Sequence, residues 1–260
     1  MVREINPNVK SQVTVFVIMA LILIMLVSLM VFLKGQKDDD MFGRSSLLQK
    51  LGFKTDVDAV KNGISVCGLS SARNAVKKIG LQGGYYKAPK LNMDLGWAFI
   101  PFYYYRGDFL MPSKQDIEGQ LGLFVDETIH NCIDDVNVNN YKLEYRNPKT
   151  KVTILPGKVK FVMDIPMTIS RGDEVVALEL KDYPVVVNSS LYEIYEIADY
   201  ITKSHKEDDS MMCINCITDM ARQRNVYVDF IDYQDLTTLV QISENRTYVE
   251  PYLFEFMNRY

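Results

Sequence analysis

Four cysteines, Cys67, Cys132, Cys213 and Cys216, are the residues of this 260-residue chain best equipped for chemistry. Cys213-Ile214-Asn215-Cys216 is a C-x-x-C. On a helix that spacing puts both sulfurs on one face, as a redox disulfide or half of a zinc site requires. A thioredoxin-type centre would place the pair after the first strand of a βαβ unit, whereas here it follows a helix and the charged loop Lys206-Glu207-Asp208-Asp209. A four-thiolate zinc site would have to recruit Cys67 and Cys132, which fall on the apolar stripes of two separate helices. The structural expectation is that Cys67 and Cys132 staple those helices, with Cys213 and Cys216 as a local bridge or as free thiols. A membrane-tethered thiol oxidoreductase using Cys213 and Cys216 is the enzymatic alternative.

Other catalytic patterns are missing from the sequence. It contains no G-x-S-x-G, P-loop, G-x-G-x-x-G or H-E-x-x-H. His130 and His205 have no His or Cys four residues on and read as surface side chains. Glu193, Glu196 and Asp199 share one helical face, as solvated acids do. Nothing calls for a cofactor or metal, and an enzyme is unsupported. With 29 basic against 33 acidic residues and a net charge of -4, the chain lacks the basic footprint of a nucleic-acid binder.

What positions these residues starts with residues 13–33, opening at Val13 and closing at Leu33. Thr14 and Ser28 are the only polar side chains in that stretch. As a helix it would be about 31 Å long, matching a hydrocarbon core of about 30 Å. A single transmembrane helix is expected, with the lipid bilayer as its first partner. A cleaved signal would have a shorter apolar core and a small-residue cleavage site, and a soluble core helix would carry a polar face. Residues 1–12 form a short tail and 34–55 a charged linker, in which Asp38, Asp39 and Asp40 fix the end of the span. Basic residues flanking the span lean slightly towards a cytoplasmic domain. The sequons at Asn188 and Asn245 and the even cysteine count favour an extracellular one, and that is the reading adopted.

Residues 56–260 are long enough for one large domain or two small ones, with a helical subregion over 56–136 and a strand-rich one over 141–260. Val57, Val60, Ile64, Cys67, Ser71, Ala75 and Ile79 predict a helix capped by Thr55, with Asp56 and Asp58 in its first turn, and stopped at Gly80 or at Gly83-Gly84. The aromatic run after it has three readings: core under a sheet, a recognition surface built on Trp97, Tyr103, Tyr104 and Tyr105, or a membrane-interface belt. Core packing is preferred. Ser113 should cap a second helix with Ile117, Leu121, Phe124, Val125, Thr128, Cys132 and Val136 on its apolar face. From residue 141 the period is two, predicting an antiparallel meander. A helix capped at Ser189 or Ser190, a short helix near residues 213–224 and three closing strands complete an α+β domain with a mostly antiparallel sheet.

Several stretches resemble a known group. Lys10-Ser11-Gln12-Val13 before the apolar segment, Ile79-Gly80-Leu81-Gln82-Gly83-Gly84-Tyr85 after Cys67, Pro101-Phe102-Tyr103-Tyr104, Met111-Pro112-Ser113 and Tyr252-Leu253-Phe254-Glu255-Phe256 resemble uncharacterised single-pass membrane proteins of small-genome archaea. The start also resembles an archaeal pilin-type signal, although Ser11 stands where glycine or alanine is usual and no pilin-type Glu follows. This likeness implies an anchored cell-surface interaction or structural protein, with a pilin-like filament subunit as its alternative. Partners would then be copies of the chain or other surface proteins.

Overall fold

The computed structural model describes residues 44–136, 142–207, 212–244 and 251–260. The expected span at residues 13–33 and Asn245 lie outside the described residues. No helix among the described residues is long and apolar enough to cross a membrane. The chain divides into two compact units, Met1–Lys54 and Thr55–Tyr260. The second is α+β with mostly antiparallel sheets.

Helix α1 spans Arg44–Leu81. Burial recurs at Val60, Ile64, Cys67, Ser71, Ala75 and Ile79, the three-and-four spacing of a helix lying on a core. Thr55 is inside this helix and not at its start, and Asp56 and Asp58 are not in its first turn. Residues 44–55 contain no proline and include Leu47, Leu48 and Leu51, so the helix propagates upstream of the periodic segment. The linker expected over 34–55 is therefore helical from Arg44 onward. At the other end the left-handed residues Gly83 (φ +51°) and Gly84 (φ +84°) turn the chain. Gly84 N donates to Ile79 O at 2.8 Å and Gly83 N to Gly80 O at 3.0 Å, which satisfies the last carbonyls of the helix.

Helix α2, Lys114–Asp134, opens with a capping box: Asp116 N donates to Ser113 Oγ and Ser113 N donates to the Asp116 carboxylate. The Ser113 hydroxyl, donating to Asp116 Oδ2 at 2.6 Å, and after it the Ser113 N–H hold the Asp116 carboxyl below its ordinary range. Its buried residues are Ile117, Leu121, Gly122, Val125, Ile129 and Ile133. The expected Phe124, Thr128, Cys132 and Val136 are only half-buried, because the helix turns its inner face towards a strand edge.

That strand is β5, Lys149–Leu155. Ile154 N donates to Glu118 Oε1 at 2.8 Å, and a Cβ at Gly122 would lie 2.6 Å from Thr150 O. A helix thus lies along a strand edge and supplies a side-chain acceptor to it, one way of protecting an edge from further pairing. Replacing Glu118 by Ala should leave Ile154 N–H unpaired and lower stability by about 1–3 kcal/mol, while Glu118→Gln retains most of it. Urea midpoints of the two variants check this, and equal losses would refute the role of the acceptor.

The predicted single meander is in fact two three-stranded antiparallel sheets. One contains β4 (Lys142–Tyr145), β7 (Pro166–Arg171) and β8 (Glu174–Glu179), in the order β4-β7-β8. The other contains β5, β6 (Lys158–Asp164) and β9 (Val185–Asn188), in that order. The pairing splits at Ile165, a fully buried residue between β6 and β7. Strand β7 escaped the sequence reading because Pro166 looks like a break, although proline is tolerated as the first residue of a strand.

The largest sheet runs β1 (Asn92–Asp94), β2 (Phe99–Tyr105), β12 (Leu253–Arg259), β11 (Thr237–Glu244) and β10 (Val226–Tyr233), with β3 (Asp108–Phe109) also on β2. Only β12 and β2 are parallel, with a register shift between Met257 and Asn258. One face of this sheet carries Tyr103, Val240, Ile242, Phe254 and Phe256, all buried. Helix α3 (Leu191–Glu207) contributes Leu191, Ile194, Ile197, Ala198 and Ile201 to the same core cluster. The short helix α4 (Ile214–Gln223) adds Ile217 and Ala221. Before α3, Ser189 Oγ accepts from Leu191 N at 3.2 Å, satisfying one of the first free N–H groups of the helix, and Ser190 O accepts from Ile194 N at 2.9 Å.

Candidate functional site

Both cysteine pairs are joined. Cys67 on α1 and Cys132 on α2 are bridged, with Cα atoms 5.6 Å apart and a sequence separation of 65. Their helices present them to each other because each sulfur sits beside a buried stripe: Ile64 and Ser71 flank Cys67, Ile129 and Ile133 flank Cys132. Cys67 is 3% exposed.

Cys213 and Cys216 form the second bridge, with Cα atoms 5.2 Å apart and a separation of three. Cys213 is the N-cap of α4, and Cys216 N donates to Cys213 Sγ at 3.3 Å. Both cysteines and the two residues between them are exposed. The loop-entropy model assigns about 4 kcal/mol to closing a 65-residue loop and about 2 to closing a three-residue one, so the two bridges differ in weight as well as in access. With all four sulfurs in disulfides, none is a thiolate ligand for the alternative zinc centre. Among the described residues no cluster of His, Cys, Asp and Glu could hold a metal.

The aromatic segment is divided. Trp97, beside a left-handed Gly96, is 76% exposed. Tyr103 and Tyr104 are 0% and 4% exposed, so the recognition surface proposed for them gives way to core packing. Tyr103 stacks on Phe256 with centroids 4.3 Å apart, meets Phe254 edge-on, and donates its hydroxyl hydrogen to Gly83 O at 2.8 Å. Complete burial, and after it the neighbouring Tyr85, Tyr252 and Tyr195, pushes the Tyr103 phenol well up. Tyr105 is half-buried and lies under the guanidinium of Arg259 at 5.6 Å. The two Arg-Gly-Asp triplets are turn chemistry: Arg106-Gly107 links β2 to β3, and Gly172 links β7 to β8, each glycine with positive φ.

His130 stacks against Tyr145 with centroids 5.7 Å apart. Burial, then a hydrogen bond to Asp134, lifts the Tyr145 phenol to about 12. That arrangement braces α2 against β4 and holds no nucleophile. Asn188, the sequon residue within the described residues, ends β9 with an exposed side chain, open to modification.

One concavity escaped the sequence reading. A groove of about 780 Å³ over β4, β7 and β8 is lined by Glu144, Tyr145, Arg146, Thr168, Ala177 and Glu179 among others. Glu144 is paired with Lys142 and Glu179 with Lys181, so its acids are already partnered. No sequence signal could have found it, because it depends on β4 pairing with β7 across more than twenty residues. No family model matches the chain, and the comparisons with curated proteins and with solved structures found no match.

Proposed function

We propose that this chain is a single-pass membrane protein whose α+β domain is held at the cell surface as an interaction or structural module. The observation that carries the reading is the Cys67–Cys132 bridge joining α1 to α2, whose Cys67 end is buried in the core and whose Cys132 end is half-buried. Disulfides that form part of a core persist in oxidising compartments and are rare where thiols are kept reduced. The apolar run of residues 13–33 supplies the tether, since no side chain in it except Thr14 and Ser28 can compete for water. Asn188, exposed at the end of β9, is then on the side where glycosylation takes place.

Intact cells carrying the full chain test this. The protein should stay with membranes through an alkaline carbonate wash and be released by detergent. Protease added outside should remove the domain without lysis. A domain protected until the cells are opened, or a chain found in the soluble fraction, overturns the proposal.

A further inference from the structure

We infer that Cys213 and Cys216 form an exchangeable disulfide that oxidises an accessible dithiol on another protein. The two bridges of the domain are built differently. Cys67–Cys132 joins a buried sulfur to a half-buried one between two helices, whereas Cys213, Ile214, Asn215 and Cys216 are all exposed. The exposed pair is also held rigidly from below, because Ile217 and Ala221 of the same helix are buried in the core. Cys213 sits at the N-cap of a ten-residue helix, where the free N–H groups and the helix dipole favour a negative sulfur. Cys216 N already donates to Cys213 Sγ, so one donor for a Cys213 thiolate is in place. Ile214, 51% exposed between the sulfurs, gives a polypeptide partner an apolar contact beside the reacting bond.

The exchange proceeds as follows. A partner thiolate attacks Cys213 Sγ; the Cys213–Cys216 bond breaks, a mixed disulfide to Cys213 forms, and Cys216 leaves as a thiolate that takes up a proton. The partner's second thiolate then attacks its own sulfur in the mixed disulfide and releases Cys213 as the helix-stabilised thiolate. Two electrons pass from the partner dithiol to the pair: the partner ends as a disulfide, and Cys213 and Cys216 end reduced. The inference is separate from the surface-tether reading, which rests on the other bridge and on the apolar run.

Full-length protein in detergent tests it in two measurements. Millimolar reduced glutathione should open Cys213–Cys216 with Cys67–Cys132 still closed and the circular dichroism unchanged, read by alkylation and peptide mass. Next, Cys216→Ala and Cys213→Ala are each mixed with an oxidised two-cysteine peptide at about pH 6, below the ordinary thiol pKa of about 8.5. The mixed disulfide at Cys213 should form at least about tenfold faster than the one at Cys216, and faster than at a cysteine in an unstructured peptide. Bridges that open only together on unfolding, or equal trapping rates at the two sulfurs, overturn the inference. The wild-type measurement decides the matter even if a variant fails to fold.

Discussion

Replacing Gly83 by alanine should lower the stability of the domain by about 2–5 kcal/mol, the sum of a left-handed backbone strain of about 1–2 and an overpacking loss of about 1–3. Gly83 has φ +51°, and a Cβ there would lie 2.5 Å from Glu255 O and 2.6 Å from Pro101 Cγ. Neither neighbour can move alone. Glu255 is in the middle of β12 and Pro101 is buried in β2, the two strands that pair in parallel a few residues further on. The carbonyl of Gly83 also receives the hydroxyl of the fully buried Tyr103. One residue therefore ends α1 and seats that helix against two strands. Gly107 provides the control: it has φ +98° but nothing within 4 Å of its added Cβ. Gly107→Ala should lose only the backbone share, about 1–2 kcal/mol. Urea denaturation of both variants measures the difference; if the two losses are equal, the close approach to β12 and β2 contributes nothing.

That joint shows where the sequence was legible and where it was not. Gly83-Gly84 could be read as a helix stop because left-handed glycine is a local requirement. What Gly83 touches could not, because Pro101 and Glu255 are brought to it by a parallel pairing with no local signature. The same division holds elsewhere. Leu191, Ile194, Ala198 and Ile201 announce α3 by spacing alone, and all are fully buried. Pro156-Gly157 announces the hairpin that pairs Leu155 with Lys158. Strand β7 was hidden by its leading proline, and the early start of α1 was hidden because helix propagation leaves no periodic mark where a stretch has no predicted core face.

The preferred reading of the aromatic run, core under a sheet, holds for its two central tyrosines. Alternation along a strand turns Tyr103 and Tyr104 to opposite faces. Both are buried, since Tyr103 meets Phe256 on one face and Tyr104 meets Tyr260, with centroids 6.2 Å apart, on the other. The signal that distinguishes them from Trp97 is position: Trp97 precedes β2, next to a glycine with positive φ, where no neighbouring strand covers it. The cysteines were legible for the opposite reason. Cys67 fell on a helical stripe whose other members could be read independently, so burial and pairing were predicted together.

Removing the Cys67–Cys132 bridge by the double change to alanine should therefore cost about 4 kcal/mol, against about 2 or less for the same change at Cys213 and Cys216. The asymmetry follows from the unfolded chain: a separation of 65 restricts the denatured ensemble far more than a separation of three. Alanine is used because a serine at Cys67 would add a buried hydroxyl and confuse the two effects. A domain of this size has a total stability of about 5–15 kcal/mol, so a loss of 4 raises the unfolded fraction by about three powers of ten. Denaturant midpoints of the four-cysteine chain and of the two double variants measure both losses, and a larger loss at Cys213 and Cys216 would contradict the loop argument. Because the heavier bridge is also the less exposed one, it can hold the domain together while the lighter, exposed pair is opened by exchange. A single domain can then carry an exchangeable disulfide at its surface without unfolding each time that bond is broken.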